Sequence, residues 1–244
     1  MRVCVLQPDY STTAVDYQYY DPPRDLSALL PDAQVDHVSL NKLTTYKQLK
    51  ALQHSGYDIF VNLCEGYLEW EVPSIDVIYT LELLCMPFTG PTTLLYDPPK
   101  ELMKYVAYCE GVTTPAYVLL EAGMDPNEVC QQLKFPLFIK PAKAGDSLGI
   151  DQHSLVHATG ELREKVSALL KEYPQLLVEE YIAGREFTVL IAANADGKTA
   201  TTFKPVEFIF PEGFTFKTYA LKTSELHPEA NIPCADPVIE KQLR

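Results

Sequence analysis

The residues able to do chemistry in this chain are lysines and carboxylates set beside short loops of small residues. The densest case is 135–150, FPLFIKPAKAGDSLGI. An apolar, strand-like run (Leu137, Phe138, Ile139) ends in Lys140, and the loop Ala144, Gly145, Asp146, Ser147, Leu148, Gly149 follows. A lysine at a strand end beside exposed backbone N–H groups makes a cationic cradle for phosphate. The same residues also describe a β-turn with a solvated lysine. Upstream, Lys100 and Lys104 fall one turn apart on one helical face, where ordinary surface charge is the default reading. Downstream, 176–191 reads LLVEEYIAGREFTVLI, with carboxylates at Glu179, Glu180 and Glu186. An adenine ring needs backbone donors and acceptors at a strand edge, which Glu180, Tyr181 and Ile182 offer. A ribose needs an acceptor for its hydroxyls, which Glu186 offers. Taken alone, the stretch is also a β-hairpin with polar ends. His153 and His157 lie four apart beside an expected surface helix, which makes zinc the weaker reading.

The elements that must position these residues follow from periodicity. Alternation and β-rich composition predict strands over 2–6, 36–40, 57–62 and 86–91, with helices over 45–54 and 72–84 between them. Strands alternating with helices imply a parallel sheet covered by helices. A helix over 99–109 comes next, then a strand over 115–120 and a helix over 126–133. Beyond the lysine loop, 161–173 reads as an amphipathic helix with a solvated charged face. Two strands broken at Gly184 are expected over 176–191, and further ones over 203–210 and 216–223, with a turn at Asp196 and Gly197. A helix begins at 237.

The length of 244 residues allows two domains, or one and a half. A net charge of −13 argues against nucleic acid or an anionic membrane as partner, so a nucleotide site needs local lysines within an acidic molecule. No apolar run approaches the ~18 residues of a membrane span, and the start reads as a strand, not a signal peptide. Cys4, Cys64, Cys85, Cys109, Cys130 and Cys234 are scattered without a CxxC, as expected of reduced core thiols in a cytoplasmic protein. No GxGxxG follows the first strand, which disfavours a dinucleotide fold.

Taken in order, these residues resemble the ATP-grasp superfamily, in particular its D-alanine–D-alanine ligase-like branch, over about 56–236. The resemblance implies that Lys100 is the first phosphate lysine and that Lys104 is a second basic position one turn on. It implies that Lys140 contacts the α- and β-phosphates, and that Gly145, Ser147 and Gly149 belong to the loop closing over the triphosphate. Glu179, Glu180, Tyr181 and Ile182 match the hinge whose backbone reads adenine, and Glu186 matches the ribose carboxylate. Lys222 resembles the lysine that neutralises the γ-phosphate, so Ser147 and Lys222 are the implied catalytic residues. Pro233, Cys234 and Ala235 are similar to a CPA-like segment near the active site.

The implied fold is α/β: a Rossmann-like parallel-sheet domain over 1–95, a central α+β ATP-grasp domain over 96–182, and the incomplete start of a C-terminal ATP-grasp domain over 183–244. The implied reaction is ATP-dependent joining of a small amino-acid-like carboxylate to an amine through an acylphosphate, with Mg²⁺ as cofactor and no covalent enzyme nucleophile. Homodimers are the family's habit.

Three departures qualify the likeness. Gln7, Pro8, Asp9 and Tyr10 stand where true peptidoglycan ligases have a glycine-rich loop with a glutamate, and Thr223 stands where a tyrosine follows the later lysine. Both weaken D-alanine as the substrate. The family's Mg²⁺ ligands follow the CPA-like segment, so they are expected beyond Arg244, with none in this chain. The chain is therefore expected to be C-terminally truncated and incomplete for catalysis, the alternative being a non-catalytic nucleotide-binding relative.

Overall fold

The computed structural model describes residues 1–13, 21–194, 196–222 and 230–244, and of Thr12 and Lys222 the backbone alone. Contacts divide the chain into two units, Met1–Pro98 and Pro99–Arg244. In the first, β1 (Arg2–Pro8) lies between β2 (Gln34–Leu40) and β3 (Ile59–Asn62), all parallel. A middle strand covered on both faces reads as a continuous apolar run, which is what Val3, Cys4, Val5 and Leu6 supply. The helices α1 (Thr45–Leu52) and α2 (Ile75–Leu83) close the core, with Leu49, Val77 and Leu81 packed around Leu6, Leu40 and Phe60. Phe60 also bridges Phe88 in parallel, at the short strand expected over 86–91.

The second unit opens with α3 (Lys100–Cys109), followed by β4 (Tyr117–Glu121), the single turn α4 (Pro126–Val129) and β5 (Leu137–Pro141). Next come β6 (Leu155–Val156), α5 (Thr159–Leu169) and β7 (Gln175–Glu180). The four strands form an antiparallel sheet in the order β4-β7-β5-β6. Side chains alternate across it. Leu137, Ile139, Leu176 and Val178 face Leu162, Val166 and Leu169 of α5. Full burial of one such side chain contributes about 2 kcal/mol of transfer free energy. Phe138, Lys140 and Glu179 are thereby sent to the opposite face.

A further sheet, order β12-β11-β8, joins β8 (Glu186–Thr188), β11 (Val206–Phe208) and β12 (Asn231–Pro233). The hairpin of β9 (Ile191–Ala193) and β10 (Ala200–Thr202) carries the turn expected at Asp196 and Gly197. The short helix α6 (Tyr219–Lys222) and the terminal α7 (Pro237–Leu243) complete the unit.

Several expectations are corrected. The stretch 176–191 is not a hairpin: β4 and β5 occupy both edges of β7, so β8 pairs with β11 in the other sheet. Only Val206–Phe208 of the strand expected over 203–210 joins that sheet, starting just after Pro205, which has no N–H to give a ladder. Of the strand expected over 216–223, residues 219–222 form a helical turn instead and Thr223 lies outside the described residues; the buried Thr218 hydroxyl accepts from Leu221 N–H at 3.3 Å, a local bond that competes with extended pairing. All six cysteines are free, but Cys85 and Cys109 are exposed, because they sit in the turn after α2 and at the end of α3.

Candidate functional site

Glu179 is the centre of a charge cluster on the face of the sheet away from α5. One carboxylate oxygen pairs with Lys140 and the other with Lys104 of α3 at 2.8 Å. Lys104 also donates to the Pro115 carbonyl at 3.1 Å and lies 4.9 Å from the Tyr117 ring centroid. The lysine pair on α3 is therefore not ordinary surface charge: the Lys104 side chain is only 10% exposed. Two ammonium groups around one buried carboxylate leave a positive charge in excess, which attracts an anion strongly where water is scarce.

Lys100 opens α3. Its N–H donates to the Ala142 carbonyl at 3.0 Å and its ammonium to the Ala144 carbonyl at 2.7 Å, tying the helix start to the end of β5. The loop beyond is tightly wound, with Leu148 N–H on the Gly145 carbonyl at 3.0 Å and Ile150 N–H on the Ser147 carbonyl at 2.9 Å. Asp146 (φ 52°) and Ser147 (φ 59°) are both left-handed, at a cost of about 1–3 kcal/mol each. Gly149 (φ 75°) is required for space as well, since a Cβ there would lie 3.0 Å from Pro141 Cγ and 3.1 Å from Tyr173 Cε2.

At the far end, Glu180 N–H and Tyr181 N–H are used on the carbonyls of Ala116 (3.0 Å) and Pro136 (2.9 Å). The Ile182 N–H has no partner among the described residues. Glu180 turns its carboxylate to Lys134 N–H at 2.9 Å. Phe138, Tyr181 and Phe216 form an aromatic cluster, with Phe138 and Phe216 centroids 4.9 Å apart. Glu186 Oε1 meets Lys217 Nζ at 2.9 Å. Below them, Arg185 grips Glu207 through two bonds of 2.6 Å, which hold the Glu207 carboxyl below the usual range.

Most of these groups line one cleft of about 550 Å³, within the range of small-molecule sites. It brings together Lys100, Lys140, Gly145, Ser147, Glu179, Glu180, Tyr181, Ile182 and Glu186. Gly149 sits behind the loop, and Lys104 reaches the cleft through Glu179. The Lys222 side chain lies outside the described residues. Sequence reasoning missed Lys217, Phe138 and Phe216. Phe138 carried a signal, since it alternates with two core positions of β5, whereas Lys217 and Phe216 were hidden by the strand reading of 216–223.

Among the described residues no group of three or more His, Cys, Asp or Glu side chains is placed to hold a metal ion, and His153 with His157 has no third ligand. The described residues thus offer no such cluster for Mg²⁺. No helix among the described residues is long and apolar enough to cross a membrane.

Comparison with known proteins gives a consistent result. The sequence model of the family "D-ala D-ala ligase C-terminus" matches residues 109–242. A D-alanine–D-alanine ligase of Bordetella petrii is 31% identical over 198 residues, covering 79% of this chain and 58% of the relative. One from Gloeobacter violaceus is 34% identical over 148 residues, covering 58% and 45%. The chain thus spans about half the length of these curated relatives. Among solved structures, D-alanine–D-alanine ligase of Bacillus anthracis complexed with ATP superposes with a TM-score of 0.60 at 21% identity, covering 88% of this chain and 68% of that one. D-alanyl-alanine synthetase A of Vibrio cholerae gives 0.61 at 16%, covering 99% and 77%. These two likenesses establish the α/β fold.

Proposed function

The chain belongs to the D-alanine–D-alanine ligase family through its C-terminal domain, and from that premise we propose that the cleft binds ATP for an ATP-dependent carboxylate–amine ligase. The observation that carries the proposal is the placing, in one cleft, of a lysine-rich end, a strained loop and an open hinge N–H. Ile182 N–H donates to an adenine ring nitrogen, and the Glu180 carbonyl accepts from the exocyclic amine. The rings of Phe138, Tyr181 and Phe216 supply apolar contact. Glu186 accepts from the ribose hydroxyls, with Lys217 fixing its orientation. Lys100 and Lys140 face the phosphates. When Lys140 turns to them, Lys104 keeps Glu179 paired, so no buried carboxylate is left bare.

Ser147 and the loop N–H groups hold the γ-phosphate. A substrate carboxylate oxygen bonds to the γ-phosphorus as the bond to ADP breaks, giving an acylphosphate. An amine then attacks the acyl carbon, phosphate leaves, and the amine loses its proton. The protein supplies positioning and charge, not a nucleophile. Lys222, by the family resemblance, offsets charge on the γ-phosphate. The substrates are small and amino-acid-like.

Release of ADP in the presence of a panel of amino acids tests this reading; a protein that binds ATP but releases no ADP with any pair sinks the ligase assignment. That outcome defines a second reading, nucleotide binding without ligation.

A further inference from the structure

Helix α5 carries one buried charge. Lys165 is only 7% exposed, a lysine set among Leu162, Val166 and Leu169 on the buried face of the helix. Burying an ammonium is costly unless acceptors surround it. Lys165 finds two, the Gly149 carbonyl at 3.2 Å and Asp151 Oδ1 at 2.7 Å. Asp151 is itself fixed by a capping box: Oδ1 accepts from His153 N–H at 2.9 Å, and Asp151 N–H donates to Ser154 Oγ at 3.1 Å. Between them, the Ile150 carbonyl accepts from Tyr219 N–H at 3.1 Å. Three consecutive residues, 149–151, are therefore pinned directly behind the left-handed pair Asp146 and Ser147.

We propose that Lys165 is a positioning residue for the phosphate loop, holding the 149–151 leg so that Ser147 and the loop N–H groups keep the conformation that receives the terminal phosphates. The proposal rests on the ATP-cleft reading. Lys165 does not line that cleft, so its influence falls on the phosphates through the loop and leaves the hinge that faces adenosine untouched.

The test compares Lys165→Met, Lys165→Arg and Asp151→Asn with the wild-type chain. Amide hydrogen exchange over 145–150 is measured without nucleotide, and affinities for ATP and AMP are measured by calorimetry. Lys165→Met should speed exchange over 145–150 and weaken ATP about tenfold, the worth of a charged hydrogen bond, with AMP affinity unchanged. Lys165→Arg should recover most of the loss, and Asp151→Asn should give a smaller loss of the same kind. Asp151, with a 59% exposed side chain, carries the test if Lys165→Met does not fold. Unchanged exchange over 145–150, or equal losses for ATP and AMP, would overturn the proposal. If the wild-type chain binds no ATP, the cleft reading fails, while exchange over the loop still decides the role of Lys165.

Discussion

Around Glu179, a single carboxylate settles what two lysines can do. With Lys104 replaced by methionine, Lys140 could reach phosphate only by abandoning a buried carboxylate. Lys104→Met should therefore weaken ATP binding several-fold although Lys104 lines no part of the cleft; unchanged affinity in calorimetry would show that Glu179 needs no second partner. Asp151 gives a pH test. Burial pushes its carboxyl up, but the hydrogen bond and charge of Lys165 outweigh this and hold it below the usual aspartate range. A depressed folded value means stabilisation that is complete above the ordinary carboxylate value and lost as pH falls through the folded one. The difference in Tm between the wild-type chain and Asp151→Asn should thus shrink between about pH 5 and about pH 3; a constant difference would contradict the ion pair. Lys140 and Ser147 were legible in the sequence because strand end, small loop and charge are local. The pairings of Glu179 and Lys165 were not, since Glu179 lies 39 residues from Lys140 and Lys165 lies 14 from Asp151.

At the scale of elements, periodicity found most strands and helices, because a side chain's face depends on its neighbours in sequence. It failed where pairing partners decide the outcome. β7 lies between two strands and cannot also pair with the strand that follows it. The turn at Thr218 overrides alternation through a single hydroxyl. The phosphate loop has a sharp internal contrast. Gly149→Ala meets both a left-handed φ of 75° and a Cβ contact of 3.0 Å, whereas a Cβ at Gly145 meets nothing within 4 Å. Gly149→Ala should lower the unfolding free energy from denaturant titration by about 1–3 kcal/mol, and Gly145→Ala by less than about 0.5 kcal/mol. Similar costs at both would mean that the loop is not held as described.

For the whole molecule, every residue lining the cleft lies in the second unit, Pro99–Arg244, which has its own core around Leu137, Ile139 and Val178. A separate core is the physical condition for independent folding. Residues 99–244 expressed alone should unfold cooperatively and retain ATP binding; a non-cooperative transition would show that this core does not suffice. The sequence revealed local lysines inside a molecule of net charge −13, and their gathering into one cleft required the fold. The central claim is that this cleft binds the phosphates of ATP. Calorimetric titration of ATP into the wild-type chain and Lys140→Ala tests it most directly. Saturable binding competed by ADP is expected, weakened about 10- to 100-fold in the variant. Equal affinities in the two proteins, or no binding at millimolar ATP, would contradict it.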